Sequence, residues 1–295
     1  MRIRQFTPPD GGTSRVGVHT TPDEIVDLER AGRSIGVDLP SNTRALLENP
    51  RWKALAELVA DHGSDVGSGT YDVEDVTTNA PIGDPEKIIC VGLNYAEHAE
   101  EGDQEIPDEP LLFSKYPSSI IGPEEPITWD PSYTNEVDYE VELAAVIGEE
   151  TRRVSPENAL DAVAGLTVSN DVSARDLQFN DDQWVRGKSL DTFCPLGPEL
   201  VTLDDIDDPH DLRLWAEVNG ERVQDSTTSD LIRGVPELVS FASDAFTLSP
   251  GDLILTGTPP GVGVFRDPQI LLDDGDTVTV GVEGIGTVRN LCRHE

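Results

Sequence analysis

Glu140 and Glu142 stand two residues apart in the stretch Asp138-Tyr-Glu-Val-Glu-Leu-Ala-Ala-Val-Ile-Gly148, where Tyr139, Val141 and Leu143 alternate with them. A period of two predicts a half-buried strand. Both carboxylates then leave the same face, their Cα atoms roughly 7 Å apart. The run that follows, Ala144 to Ile147, is apolar on both faces, so the strand heads into a core. Two carboxylates entering a core repel each other and lose hydration, and a hard divalent cation with oxygen ligands relieves both costs. A solvated acidic face is the competing reading of this stretch in so acidic a chain.

Three further groups could do chemistry beside this pair. Asp171 closes the next strand candidate, Leu166 to Asp171, and could bring a third carboxylate to Glu140 and Glu142. Three carboxylates and open positions suit Mg²⁺ or Mn²⁺ holding a bidentate substrate. His98 and Glu101 lie three apart on a short helix predicted after Asn94, which reads as its N-cap. A carboxylate that orients an imidazole makes an acid–base pair. Lys188 and Arg175 are cations close in sequence to the acidic group and could neutralise an enolate or a carboxylate. Taken singly, each of these residues also reads as an ordinary surface group. No Gly-x-Ser-x-Gly elbow and no zinc-spaced histidine pair occurs. The glycine runs 257–263 and 281–286 read as turns, since neither follows a strand and opens a helix.

The elements that must position these groups are mostly strands. Runs at Arg2–Phe6 and Arg15–His19 flank a Pro-Asp-Gly-Gly turn. Helical spacing is expected over Pro22–Arg30 and Thr43–Asp61, and His62–Pro85 reads as a connection with at most one strand. A boundary near residue 80 divides a small N-terminal domain, 1–80, from a main domain, 81–295. In the latter, strands are predicted at 88–91, 111–114, 119–121 and 127–129. Ser155-Pro156 opens a helix to Ala164, and 173–198 reads as irregular. Asn219-Gly220 marks a hairpin between 212–218 and 222–224. An amphipathic helix follows at 236–246, then strands at 253–255, 277–280 and 286–289.

Composition narrows the function classes. At 295 residues with a net charge of −36, the chain repels nucleic acid phosphates. The longest apolar run near the central strand has five residues, Leu143 to Ile147, against roughly 20 for a membrane span. The first ten residues show no apolar signal core, so a soluble cytoplasmic protein is expected. Only four lysines accompany 17 arginines. Acidic excess with scarce lysine reads as adaptation to the salt-rich cytoplasm of a halophile, where charges are screened over about 3 Å at 1 M salt. The three cysteines, Cys90, Cys194 and Cys292, have neither zinc nor disulfide spacing and read as buried free thiols.

Six motifs in one order carry a resemblance. They are Gly92-Leu-Asn-Tyr-Ala-Glu-His98-Ala-Glu-Glu101, Phe113-Ser-Lys115, Asp138-Tyr-Glu140-Val-Glu142-Leu, Asn170-Asp171-Val-Ser-Ala-Arg175-Asp-Leu-Gln178, Arg186-Gly-Lys188-Ser-Leu-Asp191 and Thr256-Gly-Thr-Pro259-Pro-Gly-Val-Gly263. Over residues 85 to 292 the chain resembles the fumarylacetoacetate hydrolase family, in its acylpyruvate hydrolase and 2-hydroxyhepta-2,4-diene-1,7-dioate isomerase branch. The resemblance implies a mixed α/β, strand-rich fold with the family's β-roll core. It implies Mg²⁺ (or Mn²⁺) on Glu140, Glu142 and Asp171, and a His98–Glu101 dyad that activates water or moves a proton. Arg175, Gln178 and Lys188 would line the pocket, and Thr258 would hold the substrate carboxylate. A small 2-oxo acid substrate and a homodimer are implied as well. The expected reaction is cleavage of an acylpyruvate-type 2,4-dioxo acid, with His98 activating water and Lys188 stabilising the pyruvate enolate. An isomerase of the hydroxydienedioate type, an oxaloacetate decarboxylase or a 2-keto-3-deoxy acid dehydratase is the alternative.

Overall fold

The computed structural model describes residues 1–63 and 69–295. The strand Val141–Ile147 is buried at every position, and the arrangement follows from its two covered faces. Val141, Leu143, Ala145 and Ile147 pack into a core shared with a second sheet, through Leu214, Ala216, Val278 and Val280. Ala144 and Val146 pack the opposite way, into a core shared with the N-terminal residues Val16, Leu28, Leu46 and Val59. This double burial explains why alternation gives way to a continuous apolar run.

The larger sheet runs in the order 70–72, 24–27, 15–21, 2–7, 194–202, 163–170, 141–147, 253–255, 88–92, 111–115. The second orders its strands 221–227, 213–218, 277–282, 286–294, 127–129. The fold is thus mixed α/β and strand-rich, as expected. The first strand, Arg2–Thr7, pairs antiparallel with Cys194–Thr202. Residues on both sides of position 80 therefore share one sheet.

Register places the chemistry. Val141 pairs with Asn170 in antiparallel strands, so the start of one strand and the end of the other lie at the same rim. Glu140 and Asp171 flank that pair. The strand Leu253–Leu255 is also antiparallel to the central strand, and Ile88–Gly92 is parallel to Leu253–Leu255. The segments leaving their C-terminal ends, 256–258 and 93–95, emerge at the same rim.

Several expectations are corrected. The strand drawn through both glutamates is interrupted: Val137–Asp138 pairs with Ser173–Ala174, and Glu140 lies in the gap before Val141. Asn94 does not cap the helix Ala96–Glu101, whose N-cap is Tyr95. Its amide instead donates to Arg233 O and Thr256 O and accepts from Arg233 N. Part of the predicted helix at 22–30 is the strand Glu24–Asp27, paired on both sides, with the helix Leu28–Ser34 after it. The helix over 43–61 breaks around Pro50 into Thr43–Leu47 and Trp52–Gly63. Residues 64–68 of the connection before Pro85 lie outside the described residues, and the rest of it holds two short strands. Pro156–Ala162 is a 3₁₀ helix, and the next strand begins at Val163. The stretch 173–198 is not irregular. It contains the helices Arg175–Asn180 and Val185–Lys188 and the start of Cys194–Thr202. The hairpin holds, with Asn219 and Gly220 both at positive φ.

Candidate active site

Glu140, Glu142 and Asp171 each offer a carboxylate oxygen to a cluster within 4.8 Å, and all three are buried. Their neighbours are cations. Lys188 Nζ lies 2.8 Å from Glu140 Oε2 and 2.7 Å from Asp171 Oδ2. Lys115 Nζ lies 2.6 Å from Asp171 Oδ1 and donates to Val172 O. Arg175 Nη1 lies 2.7 Å from Glu140 Oε1, and its Nε lies 2.8 Å from Asp138 Oδ2. Four carboxylates (Asp138, Glu140, Glu142, Asp171) thus face three cations (Lys115, Arg175, Lys188).

The charge left over falls on Glu142. Its Oε2 accepts one hydrogen bond from Gly257 N at 2.8 Å, and no cation pairs with it among the described residues. Burial pushes its pKa well above the usual carboxylate range, and the charges of Asp171 and Glu140 push it further. Glu140 goes the other way. Burial raises its pKa, but Lys188, Arg175 and His98 outweigh that and hold it at about 2. For Lys188, burial opposes the charged form, while Asp171 and Glu140 prevail and raise its pKa, so it stands as an ammonium. A divalent cation fits this set. The donors are all hard oxygens, and its charge would neutralise the one buried carboxylate without a counterion.

His98 and Glu101 meet as their spacing predicts. His98 Nδ1 lies 2.7 Å from Glu101 Oε1, and Glu101 Oε2 accepts from Gly261 N at 2.8 Å. An ionised carboxylate can only accept, so Nδ1–H points to Glu101 and Nε2 is the ring nitrogen left free of that bond.

A cavity of about 230 Å³ gathers these parts. His98, Glu140, Glu142, Arg175, Gln178, Lys188 and Thr258 all line it. Glu101 and Asp171 stand behind it, joined by the bonds just given. Phe113, Trp184, Phe179 and Phe265 form an apolar wall. Lys188 Nζ lies 5.2 Å from the Phe113 ring centroid, and His98 lies 6.3 Å from that of Phe265. Arg175 Nη2 is buried without a hydrogen-bond partner among the described residues. Gln178 Oε1 accepts from Arg175 Nη1, which leaves the Gln178 amide N–H₂ facing the cavity. The Thr258 hydroxyl is already engaged, donating to Val141 O and accepting from Gln224 Nε2.

Sequence reading assigned no role to Lys115, Asp138, Gly257 or Gly261. Lys115 carried a usable signal, being one of four lysines and set at the end of an apolar strand. The two glycines act through backbone N–H groups, which no side chain announces.

Buried carboxylates that could hold a divalent cation thus share one small cavity with a histidine hydrogen-bonded to a glutamate. The family model for fumarylacetoacetate (FAA) hydrolase, C-terminal, matches residues 87–293, and the chain belongs to that family. A mitochondrial oxaloacetate tautomerase of Rattus norvegicus is 49% identical over 292 residues, 98% of this chain and 91% of the relative. A fumarylacetoacetate hydrolase from Exiguobacterium antarcticum superposes with a TM-score of 0.85 at 37% identity, covering 100% of both chains. A 2-hydroxyhepta-2,4-diene-1,7-dioate isomerase from Mycobacterium marinum gives a TM-score of 0.76 at 35% identity, over 100% of this chain and 99% of that one. No helix among the described residues is long and apolar enough to cross a membrane.

Proposed function

We propose that the protein interconverts the enol and keto forms of a small 2-oxo dicarboxylic acid of the oxaloacetate type, with Mg²⁺ or Mn²⁺ on Glu140, Glu142 and Asp171. The observation that carries this reading is the placement of His98, Glu140 and Glu142 on one cavity of about 230 Å³. That volume lies below the roughly 300–1,000 Å³ of sites for drug-sized ligands and suits a four-carbon acid. Identity of 49% to a relative named oxaloacetate tautomerase supports the same choice.

The chain's own groups account for the chemistry as follows. Arg175 Nη2 and the Gln178 amide donate to a substrate carboxylate, because a buried unpaired donor costs about 1–3 kcal/mol until it is satisfied. Thr258 lines the same wall, and its hydroxyl reaches a carboxylate by giving up Val141 O. His98 Nε2 removes a proton from the carbon beside the 2-oxo group and returns one to the enolate, while Glu101 steadies the imidazolium. Lys188, held as an ammonium, stabilises charge on the developing enolate. A bound divalent ion supplies Lewis-acid polarisation of the 2-oxo group. The apolar wall excludes water and strengthens each of these interactions.

A second reading is C–C hydrolysis of an acylpyruvate. His98, hydrogen-bonded to Glu101, would serve equally to deprotonate water, and the likeness to a fumarylacetoacetate hydrolase favours it. The two separate in one assay series. Enol oxaloacetate should lose its ultraviolet absorbance faster with enzyme and Mg²⁺, and EDTA should remove the acceleration. Pyruvate release from acylpyruvates without such acceleration would select hydrolysis. The homodimer belongs to the same proposal, and light scattering should give twice the chain mass.

A further inference from the structure

The His98–Glu101 pair and the carboxylate centre stand on different elements, yet one side chain touches the supports of both. Asp138 is fully buried and precedes Glu140 by two residues. Its carboxylate accepts from Arg175 Nε at 2.8 Å, Tyr139 N at 2.9 Å, Gly263 N at 2.8 Å and Val264 N at 3.0 Å. The last two donors belong to the loop that follows Pro259 and Pro260. In that loop residue Gly261 is held on its C-terminal side through its carbonyl, which accepts from Tyr139 Oη at 3.2 Å and Arg266 Nε at 3.0 Å. The N–H of the same residue, in the preceding peptide, donates to Glu101 Oε2. The approach to Asp138 needs a residue without a side chain at 263. A Cβ there would stand 1.9 Å from Ile270 O and 2.7 Å from Asp138 Oδ1.

We propose that Asp138 is a positioning residue, one carboxylate that sets both the Arg175 guanidinium and the loop that receives Glu101. On the Arg175 side it holds Nε, which turns Nη1 to Glu140 and Gln178 and leaves Nη2 for substrate. On the loop side it holds two N–H groups and thereby the Gly261 N–H that anchors Glu101. An amide in its place offers one acceptor oxygen and presents N–H₂ to further donors, so the loop or the guanidinium must move. The inference rests on His98 and Glu101 acting together as proposed above.

A double-mutant cycle tests it, built from Asp138→Asn, Glu101→Gln and the double variant on Mg²⁺-loaded enzyme with oxaloacetate. Misplacement by about 1 Å can cost about 10²-fold in rate. Asp138→Asn should therefore lower kcat by that order and raise KM as well, since Arg175 loses its anchor. The double variant should be little worse than the poorer single variant, because both act through one contact. Losses that multiply would overturn the inference and leave the dyad standing. Glu101→Gln turning over at the wild-type rate would overturn the dyad and the inference together. If Asp138→Asn does not fold, Val264→Pro takes its place in the cycle. It deletes the Val264 N–H that donates to Asp138 and leaves the Asp138–Arg175 pair in place.

Discussion

Lys115 Nζ lies 2.6 Å from Asp171 Oδ1, with neither side chain exposed. The pair sits behind the cavity and fixes the carboxylate whose other oxygen meets Lys188. A buried ion pair adds little stability over an apolar pair of the same shape, but removing one partner leaves a buried charge. Lys115→Met should therefore destabilise the protein by about 3 kcal/mol. This is the lower end of the roughly 3–5 kcal/mol for such losses, because Lys188 still serves Asp171. A denaturant midpoint unchanged from wild type would show that Asp171 does not depend on Lys115.

Glu142 is the carboxylate without a cation, and the metal assignment turns on it. Glu142→Gln should keep the fold and weaken Mg²⁺ binding by at least the roughly 10–100-fold that outer-shell partners of metal ligands are worth. Calorimetry that finds wild-type affinity in this variant would remove Glu142 from the site.

Glu199 lies far from the cavity and predicts an acid limb of stability. Burial raises its pKa, but His19, Arg4 and Arg2 outweigh this and hold it at about 2. A carboxyl depressed in the folded state contributes stability that is full above its unfolded value, near 4.3, and lost as pH falls toward 2. At about 1.4 kcal/mol per unit, the contribution is about 3 kcal/mol. The stability gap between wild type and Glu199→Gln should shrink by that amount from about pH 5 to about pH 2. A gap that stays constant over this range would contradict the assignment.

The net charge of −36 predicts that the melting temperature climbs from low salt to molar KCl, as self-repulsion is screened. Thermal melts that coincide across this range would show that the surface charges are already balanced by local pairing.

The sequence exposed the chemistry better than the connectivity. Glu140, Glu142 and Asp171 were legible because carboxylates that lead into apolar runs are costly without a counter-charge. Which rim they share was not, since that depends on the Val141–Asn170 register. Helical spacing put His98 and Glu101 on one face, and the family resemblance, not the spacing, marked them as a pair. Asn94 looked like a cap because asparagine before a short helix usually is one. Its amide instead bridges to residues more than a hundred positions away, Arg233 and Thr256. The helices at 175–180 and 185–188 were hidden because segments this short lack the periodicity that marks a helix. Their positions are fixed by Arg175 and Lys188 reaching the buried carboxylates. The Glu24–Asp27 strand was missed because its local spacing also suits a helix, and pairing on both edges decided the outcome.

In the proposed reaction His98 moves the substrate proton beside the carboxylate centre. The most direct test of this step is the rate at which Mg²⁺-loaded enzyme converts enol to keto oxaloacetate, compared between wild type and His98→Ala at equal metal occupancy. Loss of a positioned base should slow this conversion by about 10²–10⁴-fold while Mg²⁺ affinity stays within a factor of about two. Conversion by His98→Ala at the wild-type rate would contradict the account and leave Lys188 and the carboxylate centre to carry the reaction without the dyad.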